Sequence, residues 1–197
     1  IEEELEKIRQ TSRIHKMQSI VSMIIKKYGH LDKKVYFYQN LRSRTDFVYK
    51  HSLNVAILCT MISHVMNISL QEQVNTVSAA LVHDIGKLDV YSMLGENMNV
   101  HPDKLWDAQF AAGSLIEGAF LDGISVRRIC YQAARVQYEA DKGKINPVKM
   151  VTGAKILMVA NRYDEITAMQ LDNNNSDSEV RAIKELMDKP QIYDPDV

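Results

Sequence analysis

The sequence predicts an all-α protein, and three observations carry that expectation. No stretch of any length alternates apolar and polar residues with a period of two, and no Asn-Gly type hairpin turn joins such stretches. Apolar residues recur instead at three- and four-residue spacing through most of the 197 residues. Proline is absent before Pro102, which leaves the first half of the chain free to form long helices.

Residues 1–28 carry Ile1, Leu5, Ile8, Ile14, Met17, Val21, Ile24 and Tyr28 as a helical stripe among charged residues. An ordinary packed first helix is favoured there over a signalling linker from an upstream sensor. Gly29 ends it. Residues 35–49 hold Tyr36, Phe37, Tyr38, Phe47 and Tyr49, read as core. A base-stacking surface would need a basic groove beside such rings, and Arg42 and Arg44 are the only local candidates. From His51 to Met66 the chain is apolar almost all round, as a central buried helix requires. A histidine at the start of such a helix must be hydrogen-bonded or bind a metal.

Residues 71–85 form the next predicted helix, with Val74, Val77, Leu81 and Ile85 on one stripe. His83 and Asp84 fall in its last turn, and Gly86 reads as its stop. Residues 88–104 read as irregular. Helices follow over 105–119, 124–138 and 148–169, separated by Gly123 and by residues 141–147. After a polar loop at 172–177, Asp177 or Ser178 is placed to cap a last helix through Met187.

A hydrophobic fraction of 46% supports a sizeable core. The length suggests one domain at 35–197 preceded by a helix or linker at 1–34. The formal net charge of −1 offers no electrostatic footprint for DNA, RNA or an anionic membrane. No signal peptide or apolar run of spanning length is present. Cys59 and Cys130 sit in apolar helical patterns, as buried thiols in a reducing cytosol rather than a disulfide, so a cytoplasmic location is expected. The chain opens at Ile1 and stops at Val197 without an obvious terminus, so it reads as a fragment of a longer protein or its ordered part.

The chemistry concentrates in Leu81-Val82-His83-Asp84-Ile85-Gly86-Lys87. Adjacent imidazole and carboxylate groups suit divalent cations such as Zn, Fe, Mn or Ni. Lys87, three residues after Asp84, is placed to reach an oxyanion on such an ion. The bland alternative is a surface His-Asp pair near a helix end.

His51 in Tyr49-Lys50-His51-Ser52-Leu53-Asn54, followed 32 residues later by His83-Asp84-Ile85-Gly86-Lys87, resembles the HD superfamily of metal-dependent phosphohydrolases. The helix over 151–168 and the closing Ile192-Tyr193-Asp194-Pro195 are similar to the HD-GYP branch, the cyclic di-GMP phosphodiesterases of bacterial signalling. The likeness covers roughly residues 40–197. It implies an HD-domain-like helical bundle with His51, His83 and Asp84 as metal ligands. Asn161 stands where the family has a distal Asp and is the fourth expected metal ligand, through a neutral carbonyl oxygen that brings no charge; Asp164, one turn on, would compensate only if its side chain reaches the same ion. Lys87 and Asp84 would carry the catalytic roles, with Arg135 or Arg162 either helping or serving as surface ion-pair residues. His64 and His101 are expected to be satisfied by hydrogen bonds, and His15 and His30 are given no role.

The departures from that branch reduce the site. Its accessory histidines are missing near Gln109 and in Tyr131-Gln132-Ala133-Ala134-Arg135, and His101 comes too early to replace the first. Phe47 stands in place of a carboxylate one turn before His51, and Gly143-Lys144-Ile145-Asn146-Pro147 replaces the GYP signature. The resemblance therefore implies at most one divalent metal ion (Fe, Mn, Zn or Ni), bound weakly or absent. The expected function is a phosphohydrolase or phosphodiesterase-like signalling domain acting on cyclic di-GMP or another nucleotide. The alternatives are an inactive regulatory module that binds a nucleotide or partner protein, and a metal-free scaffold. An upstream sensor domain and a homodimer stay open as partners.

Overall fold

A computed structural model describes residues 2–30, 44–94, 100–144, 149–168 and 177–197, and every regular element among them is an α-helix. In chain order these are α1 (Glu2–Tyr28), α2 (Arg44–Val65), α3 (Leu70–Val82), α4 (Ile85–Leu94), α5 (Pro102–Ala111), α6 (Gly113–Glu117), α7 (Gly123–Asp141), α8 (Thr152–Ala168) and α9 (Asp177–Asp188). The all-α expectation holds. No helix among them is long and apolar enough to cross a membrane.

Four helices make the centre: α2 lies against α3 and α8, and α7 lies against the same two. Val55, Ala56 and Cys59 of α2, Val77, Ala79 and Ala80 of α3, Val126 of α7, and Ala154, Ile156, Leu157 and Ala160 of α8 are fully buried there. The many alanines let the helix backbones approach closely, so the layer is thin and its polar residues are forced to meet. Cys59 and Cys130 are buried free thiols, as expected. Val21 and Ile24 bring the second half of α1 into the same core, the packing favoured for that helix.

Ser69 starts α3 with a capping box: its hydroxyl accepts from the Glu72 amide while the Glu72 side chain accepts from the Ser69 amide. Asp122 caps α7 by accepting from the Ser125 amide and also accepts from Asn75 of α3 at 2.8 Å, tying the two helices together. α9 rests on α8, and Tyr193 beyond it is buried, with Lys155 and Asp194 paired at 2.6 Å.

Several boundaries differ from the sequence reading. α2 begins seven residues before His51, so that histidine lies inside the helix rather than at its start. Gly86 does not stop a helix; it occupies the first turn of α4, which runs through residues read as irregular. A side chain at Gly86 would collide with the Ala108 carbonyl and meet Gln109 Cα at 2.8 Å, so the glycine serves a close crossing of α4 and α5. The helix read at 105–119 is two pieces, α5 and α6, divided at Ala112. Gly123 begins α7 rather than separating helices. Of the aromatic stretch, residues 35–43 lie outside the described residues; Val48 is buried, Phe47 half-buried, and Tyr49 is exposed rather than core. Residues 172–176 of the loop read at 172–177, and the side chain of Asp177, also lie outside the described set.

Candidate metal centre

Three parts of the fold converge on one point. α2 contributes His51, the junction of α3 and α4 contributes His83 and Asp84, and α8 contributes Asn161, Asp164 and Glu165. Val82 is the last residue of α3 and His83 caps it in right-handed helical conformation, so the chain turns at the buried His-Asp pair. On α8, Asn161, Asp164 and Glu165 stand three and four residues apart and share a face. His51 is 1% exposed. Its ring stacks on Phe47, centroids 5.3 Å apart and planes 7° apart, so the residue that replaces the expected carboxylate packs the imidazole in place.

Both imidazoles are oriented by oxygens that can only accept. His51 Nδ1 donates to Asp164 Oδ2 at 2.7 Å, and His83 Nδ1 donates to the Ala80 carbonyl at 2.8 Å. Asn54 Nδ2 donates to Asp164 Oδ1 at 3.0 Å, so both carboxylate oxygens of Asp164 are engaged. Asp164 thus orients His51, while the residues whose ligand atoms cluster for a metal are His51, His83 and Asp84. The remaining ring nitrogens face one atom: Asn161 Oδ1 lies 2.8 Å from His51 Nε2 and 3.0 Å from His83 Nε2. The Asp84 carboxylate is 3.8 Å from His51 Nε2 and 3.6 Å from His83 Nε2.

His51, His83 and Asp84 can hold a metal ion, each offering a ligand atom within 4.8 Å of the others. The donor set also fits one chemically. A divalent ion with bonds of about 2.0–2.2 Å to nitrogen and oxygen leaves its ligand atoms roughly 3 Å or a little more apart, close to the separations here. Imidazoles that ligate a metal characteristically donate their other N–H to a carboxylate or backbone carbonyl, which both of these do.

Charge is managed tightly in the cluster. Burial opposes ionisation of Asp84, but the neighbouring His83, the Lys87 ammonium and His51 more than offset it and hold the carboxyl well below its ordinary range. Lys87 Nζ donates to Asp84 Oδ2 at 2.6 Å; burial would lower the ammonium, yet Asp84 keeps it raised. Burial also would lower His51, but the Asp164 hydrogen bond and the charge of Asp84 raise it above the ordinary imidazole value. For His83 burial wins, and the ring is lowered.

A cavity of about 170 Å³ opens beside the cluster, lined by His83, Asp84 and Lys87 on one side and by Asn161, Arg162 and Glu165 of α8 on another. Gln109 and Cys130 belong to its wall as well, the thiol pushed up to about 12 by burial. Among the other expected residues, Arg135 pairs with Glu139 at 3.0 Å outside this cavity, the surface role foreseen for it. Arg162 does both things: it lines the cavity and is paired with Glu165 at 2.9 Å and Glu185 at 2.8 Å. His101 caps α5 by accepting from the Asp103 amide at 3.3 Å, and the side chain of His64 is exposed on the surface.

The HD domain family model matches residues 48–166, a span that holds all of these candidate ligands and their hydrogen-bond partners. The chain belongs to the HD domain family. No curated protein and no solved structure matches it. The HD domain accounts for the His51 and His83-Asp84 pattern and for a metal-dependent, phosphohydrolase-like site. Sequence reasoning did not assign Asn54 or Glu165 to this HD domain's site. The available signal was their spacing, Asn54 three residues after His51 and Glu165 four after Asn161, each on a face already carrying a candidate ligand.

Proposed function

We propose that this HD domain binds one divalent metal ion through His51, His83, Asp84 and Asn161 and acts there on the phosphoryl group of a nucleotide. The observation that carries the reading is the position of His83. Its two ring nitrogens face two oxygens, Ala80 O and Asn161 Oδ1, at 2.8 and 3.0 Å. A neutral imidazole has one N–H, so a neutral ring between two oxygens is one donor short. A cation between Nε2 and the amide oxygen removes the conflict. Imidazole, carboxylate and amide oxygen together suit Fe, Mn, Zn or Ni.

Such an ion supplies Lewis-acid polarisation of a phosphoryl oxygen and acidifies water. The protein's part is to hold the reacting group in the cavity and to balance its charge. Asp84 contributes a ligand oxygen while its other contact, to Lys87, keeps the ammonium at the edge of the site. Arg162 offers a guanidinium on the α8 wall. Buried thiols at Cys59 and Cys130 support a reducing, cytoplasmic setting for this chemistry.

One observation favours a second reading, a regulatory module that binds nucleotide without turnover. Lys87 and Arg162 are both already matched with carboxylates, so a phosphoryl group must compete with Asp84, Glu165 and Glu185 for them. Metal analysis combined with hydrolysis assays on cyclic di-GMP and linear nucleotides tests both. Bound metal with turnover abolished in His83→Ala supports the enzyme. Nucleotide binding without turnover supports the module. Protein that takes up neither metal nor nucleotide overturns both.

A further inference from the structure

The amide of Asn161 can face its neighbours in two ways, and only one of them makes a metal site. As it stands, Oδ1 faces the two imidazole Nε2 atoms at 2.8 and 3.0 Å. A half-turn of the amide exchanges oxygen for nitrogen at almost no change of shape. Two N–H donors would then face the two Nε2 atoms. Both ring lone pairs would be satisfied, and the cluster would be a closed hydrogen-bonded network with nothing to offer a cation. The same four side chains therefore encode either a metal site or an inert polar core.

Glu165 decides between them. Its Oε1 accepts from Asn161 Nδ2 at 3.1 Å, which a carboxylate can do only while nitrogen points outward. Glu165 is itself held: Arg162 donates to its Oε2 at 2.9 Å. Arg162 is fixed in turn by two hydrogen bonds to Glu185 Oε1 of α9, at 3.1 and 2.8 Å, and Lys189 donates to the same oxygen at 2.8 Å. A continuous chain of polar contacts thus runs from α9 through Arg162 and Glu165 to the amide beside the imidazoles. We infer that Glu165 is a positioning residue that holds the Asn161 oxygen toward His51 and His83, and so makes the cluster competent to bind a metal. The inference rests on the metal reading proposed above and adds to it the residue that selects the binding-competent state.

The test is Mn²⁺ binding by the full chain, measured by titration calorimetry, with Glu165 changed in two backgrounds. In the wild-type background Glu165→Gln can accept from Asn161 Nδ2 or donate to Asn161 Oδ1, so it no longer selects one orientation and weakens Mn²⁺ binding, but less than Glu165→Leu does. Glu165→Leu removes the acceptor and weakens binding by roughly 10–100-fold, the usual range for losing an outer-sphere partner. In an Asn161→Asp background the two side-chain oxygens are equivalent and there is nothing left to orient. There Glu165→Leu strengthens binding, because it removes a carboxylate facing the new one. A merely structural role for Glu165 weakens binding in both backgrounds, and that result overturns the inference. So does unchanged affinity in Glu165→Leu alone. Either leaves the metal reading standing. Wild-type protein that binds no Mn²⁺, or His83→Ala that binds it as tightly as wild type, removes the metal reading and this inference with it.

Discussion

His51 Nδ1 and Asp164 Oδ2 lie 2.7 Å apart, each side chain 1% exposed, joining residues 113 positions apart in the chain. This pair sets which ring nitrogen of His51 faces the cluster. Asp164→Asn is therefore expected to lower Mn²⁺ affinity by roughly 10–100-fold while leaving the fold intact. Asp164→Ala goes further, because the buried His51 and Asn54 lose their shared acceptor, and it costs about 1–3 kcal/mol of stability in urea unfolding. Unaltered Mn²⁺ affinity in Asp164→Asn would mean that the ring nitrogen it orients does not touch the ion.

Asn161→Asp adds charge at the fourth position of the proposed ligand set. Mn²⁺ affinity should rise by roughly tenfold or more. The gain is limited by Glu165, whose Oε1 sits 3.1 Å from the atom being replaced. Adding Glu165→Gln, which can donate to the new carboxylate, should raise affinity again. Calorimetry reads both steps, and no change in either variant would place Asn161 away from the ion.

Gly86→Ala and Gly143→Ala probe two different uses of glycine. At Gly86 the obstructing atoms are backbone, the Ala108 carbonyl and Gln109 Cα, so α4 and α5 must move apart. Gly143 has φ +71 and open space around it, so alanine there meets only the backbone preference, about 1–2 kcal/mol. Gly86→Ala should cost more, on the order of 3 kcal/mol, and should also weaken Mn²⁺ binding, since Asp84 is two residues away. Thermal unfolding of the two variants side by side measures the ranking.

Acid should expose the contribution of Asp122. The Ser125 and Asn75 side chains hydrogen-bond its carboxylate and hold the group below its ordinary value of 3.8. A group lowered in the folded state adds stability that is complete above the unfolded value and is lost as pH falls from there through the folded value. Asp122→Asn keeps a capping side chain but no titrating group. The stability difference between wild type and Asp122→Asn, from urea unfolding, should thus be larger at pH 6 than at pH 3. A difference independent of pH would remove this role.

Much of this protein was legible in the order of its residues. Helical periodicity located α1, α7 and α8 because the spacing of apolar residues records which side of a helix faces the core. His51, His83 and Asp84 stood out because ionisable side chains in apolar runs must be paired or ligating. Other features were not legible. Gly86 is one, because a glycine in the sequence looks the same whether it ends a helix or admits a neighbouring backbone. The role of Asp164 is another, because helical spacing puts it near Asn161 without saying which atom each oxygen meets.

By itself the sequence determined the all-α class, the buried thiols and the three residue types able to take a cation, all properties of local spacing and side-chain chemistry. Only the tertiary structure decided that Asp164 orients His51, that α4 crosses α5 at Gly86, and that Asn161 turns its oxygen inward while Glu165 takes its nitrogen. Those outcomes depend on how helices far apart in the chain cross, and hydrogen-bond partners are chosen by fractions of an ångström at such crossings.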